Sequence, residues 1–97
     1  MISDKDAMMR SVTGYVERLS SAREACRQAA LGLSTPMTEV SSEWHGRAGE
    51  AMVSALSELQ EEFLRIYRQL EVLEGQMWAR ANSLYSSWPE EEEVADG

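Results

Sequence analysis

The chain has 97 residues, which is enough for one domain, and its net charge is −8 at pH 7. It contains 6 Gly and 2 Pro, and because these residues punctuate many-turned folds, their scarcity predicts a few long elements. The acidic balance argues against a nucleic-acid binder, which needs clustered Lys and Arg, and against adsorption to an anionic membrane surface.

The N-terminal sequence indicates neither a cleaved signal peptide nor a membrane span. Residues 1–6 (MISDKD) lack a basic stretch followed by an apolar core. No apolar run approaches the roughly 20 residues that cross a bilayer, so we expect no membrane insertion. If the protein leaves the cell, it must therefore use a route without a cleaved signal peptide.

The first half of the chain carries one apolar stripe with the spacing of a helix face. Its members follow alternating steps of four and three residues: Met8, Val12, Tyr15, Leu19, Ala22, Cys26, Ala29 and Leu33. Ser3 or Asp4 is suited to cap the start of this helix. Pro36 predicts a kink or a break, although it also fits the first turn of a resumed helix that Ser34 or Thr35 caps.

A turn at about residues 43–48 separates this stripe from a second one. The second stripe comprises Met52, Leu56, Leu59, Phe63, Ile66, Leu70, Leu73, Met77, Ala81, Leu84 and Trp88. The two stripes predict helix one over about 4–42 and helix two over about 49–88. Two long helices with one short connection form an antiparallel helix-turn-helix hairpin, so the predicted fold class is all-α.

The second helix has more apolar surface than one neighbouring helix needs. Val53, Leu64, Tyr67, Trp78 and Tyr85 lie on another line, displaced by roughly 90° from the stripe. One interpretation is that they are partly exposed flanks of the hairpin. We favour a docking face for another hairpin, because large aromatic residues are the usual anchors of interfaces. Such docking would join two hairpins into a four-helix bundle.

After Pro89 the composition changes abruptly to the acidic run Glu90–Glu93. Like charges repel one another, and the residues that follow offer little to bury. We therefore predict one helical hairpin over residues 1–89 and a disordered acidic tail over residues 90–97. A solvated run of charge is the simpler interpretation of the tail, and recognition by a basic pocket is the alternative.

The sequence offers no set of residues suited to catalysis, to a metal or to a cofactor. His45 is the only histidine, and Cys26 is the only cysteine and has the spacing of a core residue. Acidic pairs occur on the polar side of helix two, where exposure to water explains them: Glu61 with Glu62, and Glu71 with Glu74. No glycine loop for phosphate is present. We expect a protein that is not an enzyme and needs no cofactor.

Trp44 and Gly46 stand out at the turn, which is normally polar in a soluble hairpin. Gly46 can adopt positive φ and so allows a tight reversal of the chain. Trp44 either folds over the end of its own hairpin or packs against a partner helix, and both interpretations are compatible with the sequence.

The tripeptide Trp44-His45-Gly46, at the only turn between two heptad-like helices in a chain of this length, resembles the WXG family exported by type VII secretion. Ala48 and then Ala51-Met52 are similar to the family's small-residue helix start. The resemblance covers the whole chain in length and layout. It implies a hairpin that dimerises, usually into a four-helix bundle, and export without a cleaved signal peptide from a cytoplasmic pool.

The family's C-terminal export signal is a Tyr followed four residues later by Asp or Glu. Tyr85 is followed at that spacing by Pro89, and Glu90 lies one residue further along. Tyr85 and Glu90 thus form a degenerate signal, or a partner chain completes the signal, or the signal is absent.

The resemblance also implies which proteins the chain would contact. The implied partners are a second copy, a related small hairpin or the helical N-terminal domain of a larger secreted toxin, together with the secretion ATPase. The chain would be a secretion substrate or a targeting partner that acts as a chaperone of an effector. The alternative is a coiled-coil adaptor or structural subunit that stays in the cytoplasm.

Overall fold

The structure, a computed structural model, describes residues 3–89 and is an all-α helical hairpin. Helix α1 spans Asp4–Gly32, α2 spans Ser34–Glu43 and α3 spans Gly46–Ser86. Helices α1 and α2 form the first arm, and α3 returns antiparallel as the second arm. The all-α hairpin predicted from the two stripes is therefore confirmed. The predicted acidic tail lies outside the described residues.

The first arm begins with a capped helix. The Ser3 Oγ accepts a hydrogen bond from the Asp6 backbone N–H at 3.2 Å, which satisfies one of the free donors at a helix start. Asp4 and Asp6 lie in the first turn, where carboxylates interact favourably with the helix dipole. Of the two caps considered from the sequence, Ser3 is the one that forms.

The first arm bends between α1 and α2. Leu33, which joins them, keeps helical dihedral angles, with φ −77° and ψ −14°. Pro36 lies in the first turn of α2, where its missing N–H costs little. The expected side-chain cap from Ser34 or Thr35 is wrong, because Leu33 is the cap residue and no side-chain cap bond forms.

The inward-facing residues of each arm form two columns, and each column repeats every seven residues. We call these the inner columns. In α3 the first column is Leu56, Phe63, Leu70 and Met77, and the second is Val53, Gln60, Tyr67, Glu74 and Ala81. In the first arm the first column is Val12, Leu19, Cys26 and Leu33, and the second is Met9, Val16, Arg23, Ala30 and Met37. All of these residues are buried or half-buried, as in a heptad seam.

The predicted stripes were correct for the first inner column of each arm and, apart from Ala81, displaced by one residue for the second. Tyr15 is 53% exposed, Leu59 is 45% exposed and Leu73 is 41% exposed, although all three were assigned to the seam. Met52, Leu84 and Ala22 are exposed as well. One residue corresponds to about 100° around a helix, so both arms are rotated in the same sense relative to the prediction.

Polar residues explain this displacement, because they occupy inward positions that an apolar pattern omits. Arg23 Nε donates to Glu74 Oε2 at 2.6 Å, and Arg23 Nη1 donates to the Tyr67 hydroxyl at 3.1 Å. Gln60 Nε2 donates to the Ala30 carbonyl at 2.7 Å. Each polar group finds its partner in the opposite arm, which removes most of the cost of burial. The prediction that Glu74 faces water is therefore wrong.

These contacts also fix the register of the two arms. Lys5 Nζ lies 4.2 Å from the centre of the Tyr85 ring, Arg23 contacts Tyr67, and Ala30 contacts Gln60. Each of these three pairs is centred on position 45, which lies in the turn. The register is thus constant from the tip to the open end of the hairpin.

We expect Arg23→Ala to lower the melting temperature more than Arg27→Ala. Arg23 joins the two arms, and its hydrogen bond to Glu74 raises the pKa of Arg23 above its ordinary value. Arg27 makes an exposed ion pair with Glu24 on the same helix, and such pairs contribute little. Thermal unfolding followed by circular dichroism measures the difference. Equal melting temperatures would show that the inward polar contacts do not hold the arms together.

Candidate partner-binding site

The chain reverses over two residues at the tip of the hairpin. Trp44 and His45 are extended, with φ −99° and −120°, and Gly46 has φ +75°. An L side chain at that φ would be strained, which is why glycine is needed at Gly46. Helix α3 begins at Gly46, so the helix starts within the segment that the sequence assigned to the turn.

Gly49 allows the start of α3 to pack directly against the reversed chain. A Cβ atom at Gly49 would lie 2.9 Å from the Trp44 carbonyl oxygen and 3.1 Å from the Trp44 Cβ. Both distances are shorter than ordinary van der Waals contact, and Gly49 itself is buried. Sequence reasoning placed Gly49 at the start of helix two without giving it a role. The signal was a second glycine one helical turn after Gly46.

The indole of Trp44 is only partly covered by its own hairpin. The backbone and Cβ of Trp44 adjoin Gly49, while the residue as a whole remains 46% exposed. Exposing a large aromatic surface of this kind to water is unfavourable in free energy, and such a surface is typical of an interface anchor. The tip therefore presents apolar surface that a partner could cover.

The five residues predicted to form a partner interface lie in different surroundings. Val53, Leu64, Tyr67 and Trp78 are half-buried, and Val53 and Tyr67 belong to an inner column. The Tyr67 ring lies 5.3 Å from the Arg23 guanidinium carbon. Tyr85 is 36% exposed and contacts Lys5 of the first arm. The structure thus directs at least Tyr67 and Tyr85 towards the hairpin's own first arm.

A different line of apolar residues is left outside the seam. In α3 it consists of Met52, Leu59, Ile66 and Leu73, one every seven residues, and each precedes a member of the second inner column by one position. In the first arm the equivalent line is Met8, Tyr15, Ala22, Ala29 and Pro36. Five of these nine residues are exposed and the others are half-buried. We call the two lines together the apolar flank.

Both lines of the apolar flank lie on one side of the hairpin. An antiparallel helix pair is related by a twofold axis perpendicular to the plane of the two helices, so equivalent heptad positions share a side. A continuous apolar surface of this length is unusual on a protein that works alone. The flank is therefore a candidate surface for a second helical protein.

The small buried core of the hairpin agrees with this interpretation. Among the described residues, the buried apolar side chains are Val16, Ala30 and Ala81. The hairpin encloses little core of its own.

The predicted export signal is only partly within the described residues. Tyr85 lies in the last turn of α3, where Lys5 approaches its ring. Glu90, its proposed acidic partner, lies outside the described residues. The pairing of Tyr85 with Glu90 stays a prediction.

We expect Gly49→Ala to destabilise the hairpin and Gly75→Ala to stabilise it. The added methyl group at Gly49 meets Trp44, and overpacking of this kind costs about 1–3 kcal/mol. Gly75 lies within α3 with nothing within 4 Å of a Cβ, so alanine there would raise the free energy of unfolding by up to about 1 kcal/mol. Urea unfolding measures both. A Gly49→Ala variant as stable as the wild type would contradict the close contact at the tip.

The described residues expose apolar surface at two places on the hairpin. The apolar flank and the Trp44 ring supply apolar contact area, whereas the described part contains no group of three His, Cys, Asp or Glu side chains that could hold a metal ion. None of the described helices has the length and apolar character needed to cross a membrane. Comparisons with protein-family models, with curated proteins and with solved structures find no match to this chain.

Proposed function

We propose that the protein acts by helix pairing: its apolar flank packs against a second helical hairpin, and the two form a four-helix bundle. The observation that carries this proposal is the exposed heptad line of α3, Met52, Leu59 and Leu73, beside a complete inner seam. A lone two-helix seam needs apolar residues at two heptad positions, whereas a bundle helix needs a third. The third line is present in both arms.

Within that activity, we propose a role as a WXG-like type VII secretion substrate or as the targeting partner of a secreted effector. The short turn with Trp44, the positive φ of Gly46 and the close approach of Gly49 support the resemblance to the WXG family. The partner would be a second copy, a related small hairpin or the helical N-terminal domain of a larger toxin. Export would proceed without a cleaved signal peptide, from a cytoplasmic pool, through the secretion ATPase.

Pairing through the flank predicts that Leu59→Asp with Leu73→Asp yields a helical monomer. Both residues are more than one-third exposed, so the charges would cost the hairpin itself little, whereas burying two carboxylates against a partner is prohibitive. Sedimentation of the wild type and the variant, with circular dichroism of each, measures the effect. Leu64→Asp with Trp78→Asp is a weaker test, because both residues are half-buried in the hairpin.

Val72→Asp is the matched control for this experiment. Val72 is 59% exposed and adjoins Leu73 in sequence, but it points about 100° away around the helix. We expect the control to keep the wild-type oligomer. An unchanged oligomer in the double variant, or dissociation of the control, would exclude the flank as the pairing surface.

The secretion role has its own test in a bacterium that carries a type VII apparatus. Immunoblots of culture supernatant, with and without a functional secretion ATPase, should detect the protein outside the cell only when the ATPase works. Tyr85→Ala should reduce export, whereas Val72→Ala, at an exposed residue outside the apolar flank, should not. Strict retention in the cytoplasm, without and with co-expressed partners, would favour the adaptor instead.

A further inference from the structure

A trough separates α2 from α3 near the tip, on the side of the hairpin away from the apolar flank. Its volume is about 670 Å³, and Trp44, Glu50, Val53, Ser57, Glu58 and Glu61 are among the residues that line it. A second depression of about 390 Å³ adjoins it towards Leu33, and Ser41 and Val53 line both. The trough therefore extends along most of α2.

Small side chains explain why the trough is open. Ser34 and Ser41 line it from α2, and Ser54 and Ser57 line it from α3. Their side chains are short, and it is the longer Gln60 that reaches Ser34 from α3, with its Nε2 donating to the Ser34 Oγ at 3.4 Å. No residue of α2 is fully buried. The floor is apolar, because Met37 and Val53 lie beneath the serines. The two helices are thus incompletely packed where a partner side chain would fit.

The rim of the trough is negatively charged. Glu50, Glu58 and Glu61 line it and no Lys or Arg does. Among residues 3–89 none of these three carboxylates forms an ion pair. Glu58 and Glu61 also line a neighbouring depression along α3, together with Arg65 and Arg68. Arg65 is already paired with Glu62, and neither arginine lines the trough. Three carboxylates without an ion pair around an apolar floor favour a cationic ligand.

The trough and the apolar flank are separate surfaces. Ser54 and Glu61 follow Met52 and Leu59 by two residues, which is about 200° around the helix, so the two pairs lie on nearly opposite sides of α3. A partner hairpin on the flank would leave the trough accessible. Failure of one surface as a binding site therefore says nothing about the other.

We propose that this trough binds a basic segment of a partner protein. An apolar side chain of the segment would rest on Val53 beside Trp44, and its Lys or Arg side chains would approach Glu58 and Glu61. The chain's own run Glu90–Glu93 has the wrong charge to occupy the site. A second copy is disfavoured in the trough as well, because it brings a net charge of −8.

The test uses the full chain and a fluorescently labelled amphipathic peptide, with Leu at every third or fourth position and Arg on the remaining face. Fluorescence anisotropy at low salt should show saturable binding of one peptide per hairpin. Glu58→Gln with Glu61→Gln should weaken binding about tenfold or more. Ser57→Phe, which fills the trough without changing its charge, should weaken binding to a similar degree.

Two controls separate the trough from general attraction to an acidic protein. Glu17→Gln with Glu39→Gln removes the same charge from exposed residues outside the trough, and it should leave binding within about twofold of the wild type. A peptide with Glu in place of Arg should not bind. Absence of saturable binding, equal losses in both double variants, or full binding by Ser57→Phe would overturn the proposal.

Discussion

The ion pair between Arg23 and Glu74 determines which faces of the two arms turn inward. The side chains are 25% and 14% exposed, so rotating one helix while the arms stay packed would leave a half-buried charge without its partner. The Tyr67 hydroxyl accepts a further hydrogen bond from Arg23. Nearer the tip, Gln60 donates a hydrogen bond to the Ala30 carbonyl of the other arm. Arg23, Gln60, Tyr67 and Glu74 all face the seam to make these contacts. The apolar flank, whose residues precede the second inner column by one position, is therefore left outside the seam.

That consequence connects the interior of the hairpin to its proposed function. If the second inner column were entirely apolar, each helix would bury the stripe predicted from its sequence. Leu59 and Leu73 would then be buried between the two arms. With Gln60 and Glu74 inside, those leucines remain exposed instead. The hairpin gives up some of its own hydrophobic stabilisation, while its register becomes specific, which is a well-attested use of polar residues in helix seams. The apolar flank is the direct result of that arrangement.

The sequence predicts the number of long elements, their direction and one inner column in each arm, because periodicity depends only on apolar spacing. The predicted second column was displaced by one residue because Arg23, Gln60 and Glu74 face inward. Each of them forms a hydrogen bond with a residue of the other arm, and the apolar pattern of one helix does not reveal such a partner. At the tip, too, the sequence predicts only part of the structure. Gly46 was identified from its place in the turn, but the role of Gly49 depends on the distance to the Trp44 carbonyl, which requires the path of the folded chain.

The two surfaces of the hairpin differ in the physics of recognition. The apolar flank would contribute affinity through buried area, and such contact discriminates poorly among similar helical partners. The trough has an apolar floor and an acidic rim, so its contribution would be to discriminate by charge and to accelerate association. Because Met52 and Ser54 lie on nearly opposite sides of α3, one partner hairpin cannot reach both surfaces with a single helix. A partner that uses both must carry a basic segment beyond its own helices, and a segment tethered in this way would bind the trough at a high effective concentration.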